Sequence, residues 1–326
     1  MKRKVIFIVI MCQVLLSYFG CNNSPTRSDD SDNVIVDVRH ITVNNYPRVD
    51  GSTSAHPLQV VIACNILDVD YRWFEWFDGT LRAFPDYSDT TKTEINDFIG
   101  AIKHAGTHGS YVNLIADSAD IILVARPPSS DELELADSLG ITIETEAIAL
   151  DAFVFILNTA NPVNDLSVAQ VQGIYTGDIK NWSEVGGPSA LINPYSRERN
   201  SGSQELMEEL VMKNLPMIEA PDIMVLFGMM GPINKLVTDP YGIGYTVYFF
   251  NNSMAPREAI KVCGINGIAP DPITIGNGSY IYTTRVYAAI RSNLDRNSTA
   301  YTVWEWLRTE AGQKVIAESG YVPFVD

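Results

Sequence analysis

Continuous apolar runs alternate with amphipathic stretches along most of this chain, and their spacing predicts its elements. The run Asp120-Ile121-Ile122-Leu123-Val124-Ala125 reads as a strand covered on both faces and closed by Arg126-Pro127-Pro128. Residues 152–157, Ala-Phe-Val-Phe-Ile-Leu, read as a second buried strand. Residues 56–67 predict a helix that opens directly after a Gly-Ser-Thr-Ser turn, with Pro57 accommodated in its first turn. Further helices are predicted over 130–139, ending at Gly140, over 166–175 and over 204–210. Strands alternating with helices in this way predict an α/β protein with mostly parallel sheets.

The chain has 326 residues, 46% of them apolar, enough for a sizeable core and for two domains rather than one. Its start has a different character. Met1-Lys2-Arg3-Lys4 precedes an apolar run over 5–16, too short to span a bilayer stably, and then Ser17-Tyr18-Phe19-Gly20-Cys21. This pattern predicts an export signal over 1–20. Gly20-Cys21 is similar to a bacterial lipoprotein cleavage site, with Tyr18 where such sites usually carry an aliphatic residue. The expectation is a protein anchored by lipid on Cys21 and facing the periplasm or cell exterior, with a polar tether over 21–39 rich in Ser, Asp and Asn.

Charge narrows the partners. Without Lys2, Arg3 and Lys4 the chain carries 20 basic and 39 acidic residues, a net of −19. That field repels nucleic acid and anionic lipid, so neither is an expected partner, and any anion site must work through short-range hydrogen bonds. Cys64 and Cys263 lie in separate apolar contexts that suit buried free thiols, although export also permits a disulfide. The four histidines are unclustered and no metal-ligand spacing occurs, so neither a metal nor another cofactor is expected.

Three segments carry candidate chemistry. Asp50-Gly51-Ser52-Thr53-Ser54-Ala55-His56-Pro57, Ala105-Gly106-Thr107-His108-Gly109-Ser110 and Arg197-Glu198-Arg199-Asn200-Ser201-Gly202-Ser203-Gln204 each place glycine and hydroxyl residues at a helix start. Backbone N–H groups and hydroxyls there suit an oxyanion, and a planar guanidinium at Arg197 can clamp two of its oxygens. Taken singly, each is also an ordinary capped helix start. Arg126 has two readings, a second guanidinium in the cleft or a partner of Asp131 or Glu132. The aromatic stretch Trp73, Phe74, Trp76 and Phe77 reads as packing along one side of a helix or a domain edge rather than as a sugar platform.

Together with Asn181-Trp182-Ser183-Glu184-Val185-Gly186-Gly187, Tyr241-Gly242-Ile243-Gly244-Tyr245 and Gly278-Ser279-Tyr280, these segments resemble the PstS type of phosphate-binding protein. The resemblance runs from about Tyr46 to the C-terminus. It implies a two-lobed type II periplasmic-binding-protein fold, with one lobe over 40–148 plus 246–326, the other over 149–245, and the ligand between them. It implies capture of inorganic phosphate for an ABC permease by a monomer, with contacts from Ser54, Ala55, Thr107, Arg197, Ser201, Gly202 and Ser203. The family's carboxylate acceptor falls here on Ala125, beside Arg126, which leaves open another oxyanion such as sulfate, or a phosphorylated small molecule. Asp50 is the candidate replacement. An anion sensor that feeds no permease is a further alternative. No His, Cys or carboxylate accompanies the hydroxyls as a nucleophile's base would, so an enzyme is not expected.

Overall fold

The computed structural model describes residues 35–199, 201–219 and 224–324. The expected signal, Cys21 and most of the expected tether lie outside them. The chain first forms β1 (Val49–Gly51), α1 (His56–Ile66), a hairpin of β2 (Tyr71–Glu75) and β3 (Leu81–Pro85), α2 (Thr93–Gly100), α3 (Gly106–Ile115), β4 (Ile121–Val124) and α4 (Ser130–Ser138). A long strand, β5 (Ile143–Asn158), leads to β6 (Asp165–Leu166), α5 (Val168–Thr176), β7 (Asn193–Pro194), β8 (Ser196–Arg197) and α6 (Gly202–Leu206). Helix α6 continues as a π-helical stretch, Met207–Met212. Then come β9 (Val225–Leu226), α7 (Met230–Thr238), β10 (Gly242–Val247), β11 (Ile260–Ile265), α8 (Pro272–Gly276), β12 (Thr283–Arg291), α9 (Thr299–Trp306), α10 (Glu310–Glu318) and β13 (Val322–Pro323).

β5 organises the whole. Its residues 143–152 pair with β12, which pairs with β4, which pairs with β1; its residues 153–158 pair with β10 and β11. One strand therefore belongs to two sheet regions. Its second part is fully covered: Phe153 packs edge-on with Phe155 and Tyr282, Phe155 with Tyr245 and Tyr282, and Tyr175 with Tyr245, in an aromatic core.

Three expectations change. The sheets are not mostly parallel: β5 runs antiparallel to β10, β11, β12 and β13, and the parallel pairs are the short ones. A buried apolar run records that both faces are covered and is silent about strand direction. The second region also does not end at residue 245, because β11 pairs with Phe155–Asn158 and keeps the chain there well beyond that point. The aromatic stretch is a strand to Glu75 followed by a turn, with Tyr71 and Trp73 half-buried while Phe74, Trp76 and Phe77 are exposed. Trp76 stacks on Phe84 with the Arg82 guanidinium over its ring. Cys64 and Cys263 are free and buried, and burial pushes each thiol up to about 12.

Asp151 sits where β5 passes from one region to the other. Its Oδ1 accepts the N–H of Ala152 at 2.8 Å and that of Phe249, just past β10, at 2.9 Å. Full burial raises its carboxyl to about 7 against these two bonds, which lower it. A carboxyl raised in the fold opposes folding wherever the unfolded chain ionises it. The penalty is absent below about pH 4, grows between pH 4 and 7, and is complete above 7. Asp151→Asn keeps an oxygen for both N–H groups and removes the charge. The variant is expected to gain stability relative to the parent as pH rises from 4 to 7, on the order of 2–4 kcal/mol, in denaturant titrations at each pH. Parallel stability curves for the two proteins would refute a buried, raised Asp151.

Candidate functional site

A cavity of about 370 Å³ lies where the two regions face one another, and four helix starts open on it. On one side, β1 ends at Gly51 and the chain turns through Ser52, Thr53 and Ser54 into α1. The turn is anchored by the Ser52 N–H, which donates to the Leu123 carbonyl of β4 at 2.9 Å. Beside it α3 begins at Gly106, whose φ of +77° suits glycine, and presents Thr107 and His108. The opposite side is built by Arg197 and Glu198, by Ser201, Gly202 and Ser203 at the start of α6, and by Gly228 and Met229 before α7.

Side-chain caps are unevenly distributed among the helices, and α2, which does not line the cavity, has none. α5, α8, α9 and α10 carry side-chain caps from Ser167, Asp271, Ser298 and Thr309. The four helices that open on the cavity, α1, α3, α6 and α7, have no side-chain cap. At α3 and α6 the first N–H groups and the positive ends of the dipoles are left for whatever occupies the cavity, whereas at α1 and α7 the His56 and Gly231 N–H groups are taken by the Thr53 and Gly228 carbonyls and Pro57 and Pro232 have none.

Arg197 is the single arginine or lysine among the described residues lining the cavity. It is 5% exposed, and its position is set from the core: its N–H donates to the Tyr245 hydroxyl at 3.0 Å and to Gln204 Oε1 at 3.1 Å. Its Nε donates to the Leu226 carbonyl at 3.1 Å, and Nε and NH2 each donate to Glu198 at 3.0 Å. NH1 faces the Met229 sulfur at 3.7 Å, as does the Ser203 hydroxyl at 3.8 Å. A thioether is a weak acceptor, so these two donors retain most of their capacity.

Burial lowers His56 to about 4 and also lowers His104, whose Nδ1 shares a hydrogen bond with Thr53 Oγ1 at 3.3 Å. The two walls approach closely: a Cβ on Gly202 would stand 2.9 Å from Thr107 Oγ1.

Of the residues singled out from sequence, Ser54, Thr107, Arg197, Ser201, Gly202 and Ser203 all line this cavity. Ala55 does not. It is fully buried, and its N–H is used within the turn by Ser52, through the carbonyl at 3.1 Å and Oγ at 3.3 Å. Arg126 does not line it either, because Glu132 and Glu205 take its guanidinium. Asp50 is structural: Oδ1 accepts the N–H groups of Gly51 and Ala105, and Oδ2 accepts Asn113, which ties the first turn to the start of α3. Ala125 does line the cavity, and the one lining carboxylate among the described residues is Glu198. Glu198 and Met229 were missed. For Glu198 the signal was its place beside Arg197; for Met229, adjacent to the cavity only through the fold, there was none. No group of three or more potential metal ligands occurs among the described residues, and no helix there is long and apolar enough to cross a membrane.

Comparison with known proteins places this arrangement. Phosphate-binding proteins PstS from two strains of Staphylococcus epidermidis are 25% and 27% identical to the chain, over 67% of it and 68% of each relative. A putative phosphate ABC transporter substrate-binding protein from Clostridium perfringens, solved with bound phosphate, superposes with a TM-score of 0.63 at 20% identity, covering 86% of this chain and 100% of that one. An ABC-type phosphate transport receptor from Vibrio cholerae gives 0.58 at 22% identity, over 86% and 99%. Residues 82–322 match the PBP superfamily domain. The α/β fold is thus the two-lobed type II binding-protein fold, and the chain belongs to the PBP superfamily.

Proposed function

We propose that this protein captures inorganic phosphate in the cavity between its two lobes and hands it to an ABC permease. The observation that carries the reading is the convergence of four uncapped helix starts, several hydroxyls and one arginine on a single cavity. Ser54, Thr107, Ser201 and Ser203 donate to the oxygens, the Gly202 N–H contributes from the backbone, and Arg197 supplies charge through NH1. The PstS relatives and the phosphate-bound structure support phosphate as the ligand. In this reading the protein binds and releases without catalysis, as a monomer, and the lipid on Cys21 keeps it at the outer face of a membrane.

One observation favours a second reading, in which another oxyanion is bound. Ala125 presents a methyl group to the cavity, and the lining carboxylate, Glu198, is engaged with Arg197. A site without a free acceptor has no means of favouring a protonated anion over sulfate. Competition calorimetry across pH separates the two. Sulfate failing to displace phosphate supports a strict phosphate site, and sulfate competing at comparable concentration supports a general oxyanion site.

Arg197→Ala is expected to weaken phosphate binding by well over tenfold in isothermal titration calorimetry, since it removes the one arginine of the lining. Unchanged affinity would exclude Arg197 from the ligand. Gly202→Val sets a branched side chain against Thr107 and is expected to reduce affinity about tenfold while the ligand-free melting temperature stays within a few degrees. Wild-type affinity in this variant would show that the walls need not approach so closely.

A further inference from the structure

Arg126 and Glu205 come from opposite sides of the cleft. Arg126 follows β4 and is 2% exposed. Glu132 accepts its NH1 and NH2, both at 2.8 Å, and the Pro127 carbonyl accepts NH1 at 2.8 Å. The Tyr111 ring lies 5.7 Å from the guanidinium, and the Tyr111 hydroxyl donates to the Arg126 carbonyl at 2.9 Å. Glu132 is itself fully buried, accepts the Ser129 N–H at 2.8 Å and meets His108 Nδ1 at 3.0 Å. All these residues belong to the segment from α3 to α4, so one lobe alone fixes the guanidinium. Its remaining edge, Nε, meets Glu205 of α6, in the other lobe.

The charge balance makes this pair reversible. Removing one partner of a buried ion pair normally strands the other charge. Here Arg126 keeps two bonds to Glu132 if Glu205 departs, and the Glu205 side chain, already 22% exposed, returns to water. Neither group is orphaned by opening. Glu205 also lies one turn from Ser201, in the same short helix as Gly202 and Ser203. Docking Glu205 on Arg126 therefore places those donors against Thr107 across the cleft.

We propose that Arg126 and Glu205 form a clasp between the lobes: they are positioning residues whose ion pair, made on closure, holds the α6 donors over the ligand and slows its release. The inference rests on the reading that the lobes close around an anion, and it removes Arg126 from the ligand's own contacts. A contact present only in the closed state acts on dissociation, because ligand enters the open one.

Glu205→Gln preserves size and removes the charge without stranding Glu132, which truncation of Arg126 would do. In stopped-flow measurements with inorganic phosphate, dissociation is expected to quicken about tenfold, with association within about twofold and the ligand-free melting temperature within about 2 °C of wild type. Unchanged dissociation overturns the clasp, whatever the melting temperature does. Glu205→Lys sets two cations face to face in the closed state and gives a second readout, a larger radius of gyration than wild type in small-angle X-ray scattering at saturating phosphate, or at saturating sulfate where phosphate does not bind. A wild-type protein that fails to bind phosphate would overturn the phosphate reading alone. The scattering then decides the clasp, with a larger radius in E205K supporting it and identical curves overturning it.

Discussion

The cavity depends on one strand being shared by two sheets. Its donors come from stretches near residues 52, 107, 201 and 229, and nothing local relates them. The connection runs through hydrogen-bonded ladders: the first turn hangs on Leu123 of β4, β4 pairs with β12, β12 with the first part of β5, and the second part of β5 with β10. Tyr245 of β10 then accepts the Arg197 N–H. Each step fixes the next, and a slip of one residue in any of them would turn alternate side chains to the wrong face. Asp151 ties the two crossings between lobes together, accepting the N–H of Ala152 on β5 and that of Phe249 just past β10.

Electrostatics explains why the site is made of amides and hydroxyls. The chain carries a net charge of −16, so an approaching anion meets repulsion once it comes within a Debye length or so of the surface. Strong fixed charge inside the cleft would offset this, but Arg197 is matched by Glu198, and burial lowers His56 and His104. What remains acts at contact distance. Uncapped N–H groups and hydroxyls contribute only when an oxygen sits within about 3 Å, where directional bonds in a partly desolvated cavity are strongest.

The sequence made the local parts of this arrangement legible and left the non-local parts hidden. Glycine and hydroxyl residues before apolar periodicity mark a helix start within a dozen residues, which is why the beginnings of α1, α3 and α6 were readable. Burial of β4 and β5 was equally plain from their apolar runs. Strand direction was not, because a ladder's polarity is decided by a partner more than a hundred residues away in the case of β12 and β5. β11 was assigned to the wrong lobe for the same reason. The aromatic hairpin was open to a better reading: Tyr71 and Trp73 alternate with Arg72 and Phe74 at the period of a strand. Arg126 shows the limit most clearly. Glu132, six residues on, could be named as a partner, whereas Glu205, seventy-nine residues away, could not.

A binding protein must also let go, and its polar groups divide along that line. Those that define each wall are satisfied within it: Asp50 by Gly51, Ala105 and Asn113; Arg126 by Glu132; and the Arg197 backbone by Tyr245 and Gln204. Those that face across the cleft are left with weak or dispensable partners, a thioether for Ser203 and Arg197 NH1, and water as the alternative for Glu205. In the proposed reading, opening therefore breaks few bonds that the protein cannot replace, and closing around an anion completes bonds that these weak partners leave open. Differential satisfaction of this kind is what a ligand needs in order to shift a two-state hinge, since a ligand moves an equilibrium only by its preference for one state.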